Sequence, residues 1–181
     1  MPPKQRITRE MILERAFDMF CREGMEAVNA RSVAKALNCS TQPIFSYYAG
    51  MNDLKVTLDQ KAHELWSQTL ESASREGNWF ENCCCAYLRF ACDQPQLFAH
   101  LFMRIGQDTS AMGGPEGWRD EMIRYECEEF GLNEEKANLL CLRLMTYVHG
   151  LASVKASRRE PYEEGLFEQV NIVHKALVAT L

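Results

Sequence analysis

Residues 29–48, NARSVAKALNCSTQPIFSYY, decide how this chain folds. Asn29 has the side chain of a helix N-cap, and Val33, Ala34 and Leu37 follow it at helical spacing. Asn38 tolerates the left-handed conformation that stops a helix. Only Cys39 then separates it from Ser40, which is expected to cap the next helix. That helix opens Thr41-Gln42-Pro43, where proline is acceptable because first-turn amides have no acceptor within the helix. Two short helices joined by so tight a turn form a helix-turn-helix. Small and polar residues at the start of the second helix suit an approach to base edges in the DNA major groove.

Helical periodicity continues in both directions. Upstream, Thr8 caps a helix whose apolar positions Ile12, Leu13, Ala16, Phe17 and Phe20 lie three and four apart, and Gly24 ends it. Downstream, Ala49-Gly50 closes the third helix. A long fourth one carries Leu54, Leu58, Ala62, Leu65 and Trp66 as far as the break at Gly77-Asn78. Further helices are expected near 79–93, 95–104, 118–130, 134–157 and 163–180, with a flexible loop from Gly106 to Gly117. No hairpin signal separates alternating runs, so the predicted fold is all-α. The expected organisation is a helix-turn-helix domain over 1–50, a fourth-helix connector over about 51–76, and a helical effector-binding and dimerisation domain over 77–181.

Composition narrows the function. The chain of 181 residues carries a net charge of −5, unevenly spread. Residues 1–50 hold seven Lys/Arg against five acids, leaving −7 on the remainder. A basic end on an acidic body suits a localised nucleic-acid contact. The N-terminal stretch MPPKQRITRE lacks the apolar core of a signal peptide, and no apolar run reaches membrane-spanning length. The expected location is cytoplasmic, with no membrane partner. Eight cysteines without an export signal are then expected to be reduced, and Cys83-Cys84-Cys85 is poor geometry for a metal cage. No metal or cofactor is expected. Nucleophile elbows, phosphate loops and dinucleotide fingerprints are absent from the sequence, which points away from an enzyme.

The residues proposed to meet DNA are Ser40, Thr41, Gln42, Pro43, Ser46 and Tyr47 on the third helix, with Arg31 and Lys55 beside it. Gln42 suits a bidentate contact to adenine, and Thr41 suits a base or thymine methyl. Tyr47 is placed to donate its phenol to a phosphate. Ile44, Phe45 and Tyr48 are expected to pack inward.

The strings ITREMILERAFDMFCREG and VNARSVAKALNCSTQPIFSYYAGMNDL resemble the DNA-binding domain of the TetR family of one-component repressors. The resemblance rests on the helix-one aliphatics, Gly24, the Val33-Ala34-x-x-Leu37 step, Ser40, Phe45-x-x-Tyr48 and Asp53-Leu54. It implies a homodimer bound to a palindromic operator on double-stranded DNA and released by a small apolar or amphipathic effector. Two positions depart from the family pattern. Phe45 stands where a phosphate-binding tyrosine is usual, and Met51 where a lysine grips the backbone; Lys55 is the expected substitute.

Later in the chain, Tyr147-Val148-His149-Gly150-Leu151-Ala152 resembles the Trp-His-Gly-type signature of one subgroup's effector domain, as do Gln94-Pro95-Gln96-Leu97-Phe98 and Leu101-Phe102-Met103. Candidate pocket residues are Tyr87, Phe90, Phe98, Phe102, Met103, Trp118, Met122, Tyr125, Met145 and His149. Residues 139–154 are apolar nearly all round, so they must bury two faces. In the family the last two helices form the dimer interface, which implies Leu140, Leu144, Val148, Leu151, Phe167, Val170 and Leu177 for that role. An alternative reading is a redox-sensing regulator using Cys83–Cys85, Cys92 or Cys127.

Overall fold

The computed structural model describes residues 7–73, 75–104 and 117–181. Among the described residues every regular element is helical, as the periodicity predicts. The order is α1 (Arg9–Glu23), a 3-10 turn (Met25–Ala27), α2 (Ala30–Ala36), α3 (Gln42–Tyr47), α4 (Met51–Glu71) and α5 (Trp79–Asp93). Then follow α6 (Pro95–Phe102), α7 (Trp118–Phe130), α8 (Glu134–Arg158) and α9 (Gly165–Val178). The expected loop from Gly106 lies outside the described residues up to its last member, Gly117. No described helix is long and apolar enough to cross a membrane. The chain divides into two compact units, Met1–Glu64 and Leu65–Leu181, with α4 contributing to each.

In the first unit the helix ends are fixed locally. Thr8 accepts a hydrogen bond from the Met11 N–H at 3.3 Å, and Gly24 closes α1 at φ 88°. Asn29 and Ser32 form a reciprocal capping box, each side chain accepting the other's backbone N–H at 3.1 Å. Such caps contribute about 1 kcal/mol apiece. Ile12, Phe20, Val33, Ile44, Leu54 and Leu58 have no exposed surface and make the shared core. The turn after α2 sets the angle at which α3 leaves, and it is a Schellman motif. Asn38 sits at φ 51°, its N–H donating to the Lys35 carbonyl and the Cys39 N–H to the Ala34 carbonyl.

In the second unit α5 packs on α6, α8 and α9, and α8 also holds α7. Asn78 and Asn133 cap α5 and α8, accepting from Glu81 N–H at 3.0 Å and Lys136 N–H at 2.9 Å. Arg159 closes α8 in the left-handed conformation at φ 54°. Lys155 reaches back to Glu160 at 3.1 Å and Glu163 at 3.3 Å, tying the α8 end to the segment before α9.

Candidate functional site

The Schellman turn hands the chain to α3 with one side turned outward. Gln42, Phe45 and Ser46, spaced three and four apart, are exposed, while Ile44 and Tyr48 are buried at 0% and 1%. Phe45 therefore corrects the sequence reading. It is 52% exposed instead of packed inward, because Ile44 and Tyr48 already fill the space beneath this short helix. A second correction concerns the cap. The residue preceding α3 is Thr41, not Ser40, and no side-chain cap bond is made there.

Ser40, Gln42, Pro43, Ser46 and Tyr47 line one cleft of about 760 Å³ with Ile7, Met11 and the turn residues Leu37, Asn38 and Cys39. Arg31, exposed on the first turn of α2, and Lys55, half-buried on α4, lie outside that lining. Thr41 is half-buried beside it. Two side chains have bonds the sequence did not anticipate. The Tyr47 phenol donates to the Ile7 carbonyl at 3.3 Å, so in this state it holds the start of α1 instead of pointing a free donor outward. Ser46 Oγ donates to the Gln42 carbonyl at 3.0 Å. Beneath this surface Arg9 stacks over the Tyr48 ring at 5.1 Å, and Lys61 of α4 lies over Phe17 at 4.8 Å.

The pocket candidates of the second unit fall into two aromatic groups. Tyr87, Phe90 and Phe102 surround Trp66, with ring centroids 5.3, 5.3 and 5.4 Å from it. Phe98 joins them 5.2 Å from Tyr87. At the edge of this group His149 Nδ1 meets the Tyr87 hydroxyl at 2.8 Å, and its Nε2 lies 3.4 Å from Ser153 Oγ. Burial lowers the His149 pKa, so the ring stays neutral near pH 7 and one nitrogen remains an acceptor. Met145 sits against this core through Cys84, sulfur to sulfur at 4.0 Å.

Trp118 and Tyr125 belong to the other group, 5.3 and 6.2 Å from Trp79. Arg75 covers the Trp79 ring at 4.4 Å while bonding Glu121 at 2.7 Å. Met122 is buried on α7, and Met103, the residue after α6, is 42% exposed. Sequence reading missed both tryptophan hubs. Trp66 was visible as an apolar position of α4, but nothing local says which rings it gathers.

Burial divides the proposed dimer residues into two sets. Leu140, Leu144, Val148 and Val170 have no exposed surface, being packed within their own chain, so they have none to give a partner. Leu151 and Leu177 are half-buried and Phe167 is 41% exposed. The apolar side chains these helices do present are Leu142, Tyr147, Val154, Phe167 and Ile172.

Four of the cysteines named for redox sensing, Cys83, Cys84, Cys85 and Cys92, are poorly set up for it. Burial pushes the Cys83 thiol up to about 12 and Cys84 well above its ordinary value, and it raises Cys85 and Cys92 as well. A sensor thiol needs the opposite shift, toward the reactive thiolate.

A cluster absent from the sequence reading lies between α5, α7 and α9. His174 is 1% exposed, with Nδ1 2.8 Å from Glu81 Oε1 and Nε2 3.1 Å from Glu126 Oε2. Asn171 donates to Glu81 Oε2 at 2.7 Å, whereas Glu126 Oε1 is buried without a hydrogen-bond partner. The available signal was Glu81 itself, a charge inside the apolar run WFENCCC.

No protein-family model and no curated protein sequence matches the chain. Solved structures do match, across its whole length. A TetR-like transcriptional regulator from Rhodococcus sp. RHA1 aligns over 96% of both chains at 15% identity, with a TM-score of 0.61. The fatty acid degradation regulator FadR from Bacillus halodurans aligns over 98% of both at 14% identity and a TM-score of 0.62. A TetR point variant from Acinetobacter baumannii AYE in complex with minocycline aligns over 97% of this chain and 96% of its own, at 13% identity and a TM-score of 0.52. The full-length fold of this protein is therefore the TetR-like fold of transcriptional regulators.

Proposed function

We propose that this protein is a transcriptional repressor that binds a palindromic operator as a homodimer and releases it on binding a small apolar or amphipathic effector. The observation that carries the reading is the exposed side of α3, presented by the turn at Asn38 within a TetR-like fold. Gln42 is the base reader, with Ser40, Thr41, Pro43 and Ser46 completing the surface and Arg31 and Lys55 meeting phosphates. A reader of this kind works in the cytoplasm on genomic DNA.

The dimer interface is assigned to the exposed residues of α8 and α9. Gly150 supports this. Glycine costs about 1 kcal/mol relative to alanine inside a helix, yet an added methyl at this exposed position would meet nothing within 4 Å beyond its adjacent residues and the local helix backbone. The protomer gains nothing from the missing side chain, whereas a partner helix crossing closely there would. The effector site is assigned to the rings around Trp66 and Tyr87, with His149 as the polar handle. One structural neighbour is named a fatty acid degradation regulator and another was solved in complex with minocycline, a precedent for a small-molecule effector on this fold. Release follows if the effector prefers a conformation whose two recognition helices no longer match the operator spacing of about 34 Å.

Selection of bound duplexes from genomic fragments, followed by a salt titration, tests the central claim. A single palindrome with steeply salt-dependent affinity is expected. Binding with no sequence preference at any salt would overturn it.

A further inference from the structure

We propose that Phe45 reads the C5-methyl group of a thymine in the operator and is a specificity-determining residue of α3. The inference rests on the DNA-binding reading above. Gln42, Phe45 and Ser46 form one side of the helix, opposite buried Ile44. An isolated apolar side chain on a surface needs no special explanation. This one flanks Gln42 and Ser46 at the edge of the α3 cleft and exposes 52% of its surface.

The neighbouring hydroxyls are engaged within the chain, Ser46 on the Gln42 carbonyl and Tyr47 on the Ile7 carbonyl. Gln42 and Phe45 then remain, beside Ser40 and Thr41, to meet the groove floor. A phenyl ring offers no donor to a phosphate or a base edge. The apolar feature that the major groove presents is the thymine methyl, and aromatic contact with it excludes cytosine at that position. Residues 42 and 45 are separated by about 4.5 Å along the helix axis, against about 3.4 Å per base pair. The thymine therefore lies one or two base pairs from the adenine read by Gln42.

The test uses the full chain and the selected operator, with each thymine replaced in turn by uracil, which lacks only the methyl. One symmetric pair of thymines is expected to be sensitive, losing about fourfold affinity per half-site, as burial of one methyl predicts. The Phe45→Ala variant should bind the thymine operator with a similar loss and show no further loss with uracil. Phe45→Leu, which keeps apolar contact, should retain part of the discrimination. Thermal unfolding of both variants checks that the fold is intact, as expected for a residue this exposed. If no thymine is uracil-sensitive, or if the sensitivity persists in Phe45→Ala, the assignment is wrong while the repressor reading stands. If no operator is selected at all, the repressor reading fails first.

Discussion

Asn38 and Gln42 show how much of this site rests on single side chains. Asn38 holds φ 51°, a region that costs most residues about 1–2 kcal/mol. Asn38→Gly is therefore expected to leave the melting temperature unchanged or slightly raised. Asn38→Val should destabilise the protein by about 1–2 kcal/mol in denaturant titration and weaken operator binding, because the turn aims α3. Gln42→Ala should relax base preference at one position per half-site, by about 1–3 kcal/mol. Lys55→Ala should weaken binding to all sequences alike and lower the salt slope. A base-dependent loss for Lys55→Ala would exchange their roles. Asn29 and Asn38 were legible because capping and left-handed propensity are local properties. Phe45 was not, since its exposure depends on Ile44 and Tyr48 having taken the core space.

Three elements meet at His174, and their junction should be pH-dependent. Two carboxylate contacts on one imidazole are both met as hydrogen bonds when the ring carries two hydrogens, as the imidazolium does. Burial opposes the charge, but hydrogen bonds to Glu126 and Glu81 outweigh it and raise the His174 pKa above its ordinary 6.5. The stabilisation is thus complete below about pH 6.5 and is lost as pH climbs through the raised folded value. Cys84 and Cys141, which lie near Glu126, titrate only at much higher pH. Unfolding free energy measured from pH 6 upward should fall, and His174→Leu should flatten that slope while destabilising by about 3–5 kcal/mol. An unchanged slope in the variant would assign the pH dependence elsewhere. Replacing Glu81, Glu126 and His174 together by apolar residues should recover most of that loss, since no buried charge is then left unpaired. The starts of α5, α6 and α8 and the end of α7 lie at Asn78, Pro95, Asn133 and Gly131, all local signals. This triad could not be read locally, because its members lie 48 and 93 residues apart in the chain.

For the whole molecule, burial separates residues that hold a protomer from residues that hold a pair. Leu144→Ala, wholly inside, should cost about 2–5 kcal/mol and leave the oligomeric state unchanged where the protein still folds. Charged substitutions at Leu142, Val154 and Ile172, or a leucine at Gly150, should convert a dimer to folded monomers in sedimentation with unchanged helical content. They should weaken palindrome binding far more than half-site binding. A monomeric parent protein would overturn the dimer proposal.

The sequence by itself determined the all-helical class, several helix starts and the helix-turn-helix, because caps, turns and periodicity act over a few residues; it misplaced the cap of α3 and the end of α4. Tertiary packing decided which apolar residues face inward where a helix is apolar on more than one side. An α8 that is apolar nearly all round does not reveal that Leu140, Leu144 and Val148 go to its own chain while Leu142 and Val154 remain outside. The same packing drew the aromatic residues into separate groups around Trp66 and Trp79, brought Glu81 and Glu126 to His174, and left Phe45 on the outer side of α3. Burial depends on what the rest of the fold brings alongside a residue, which no local pattern encodes.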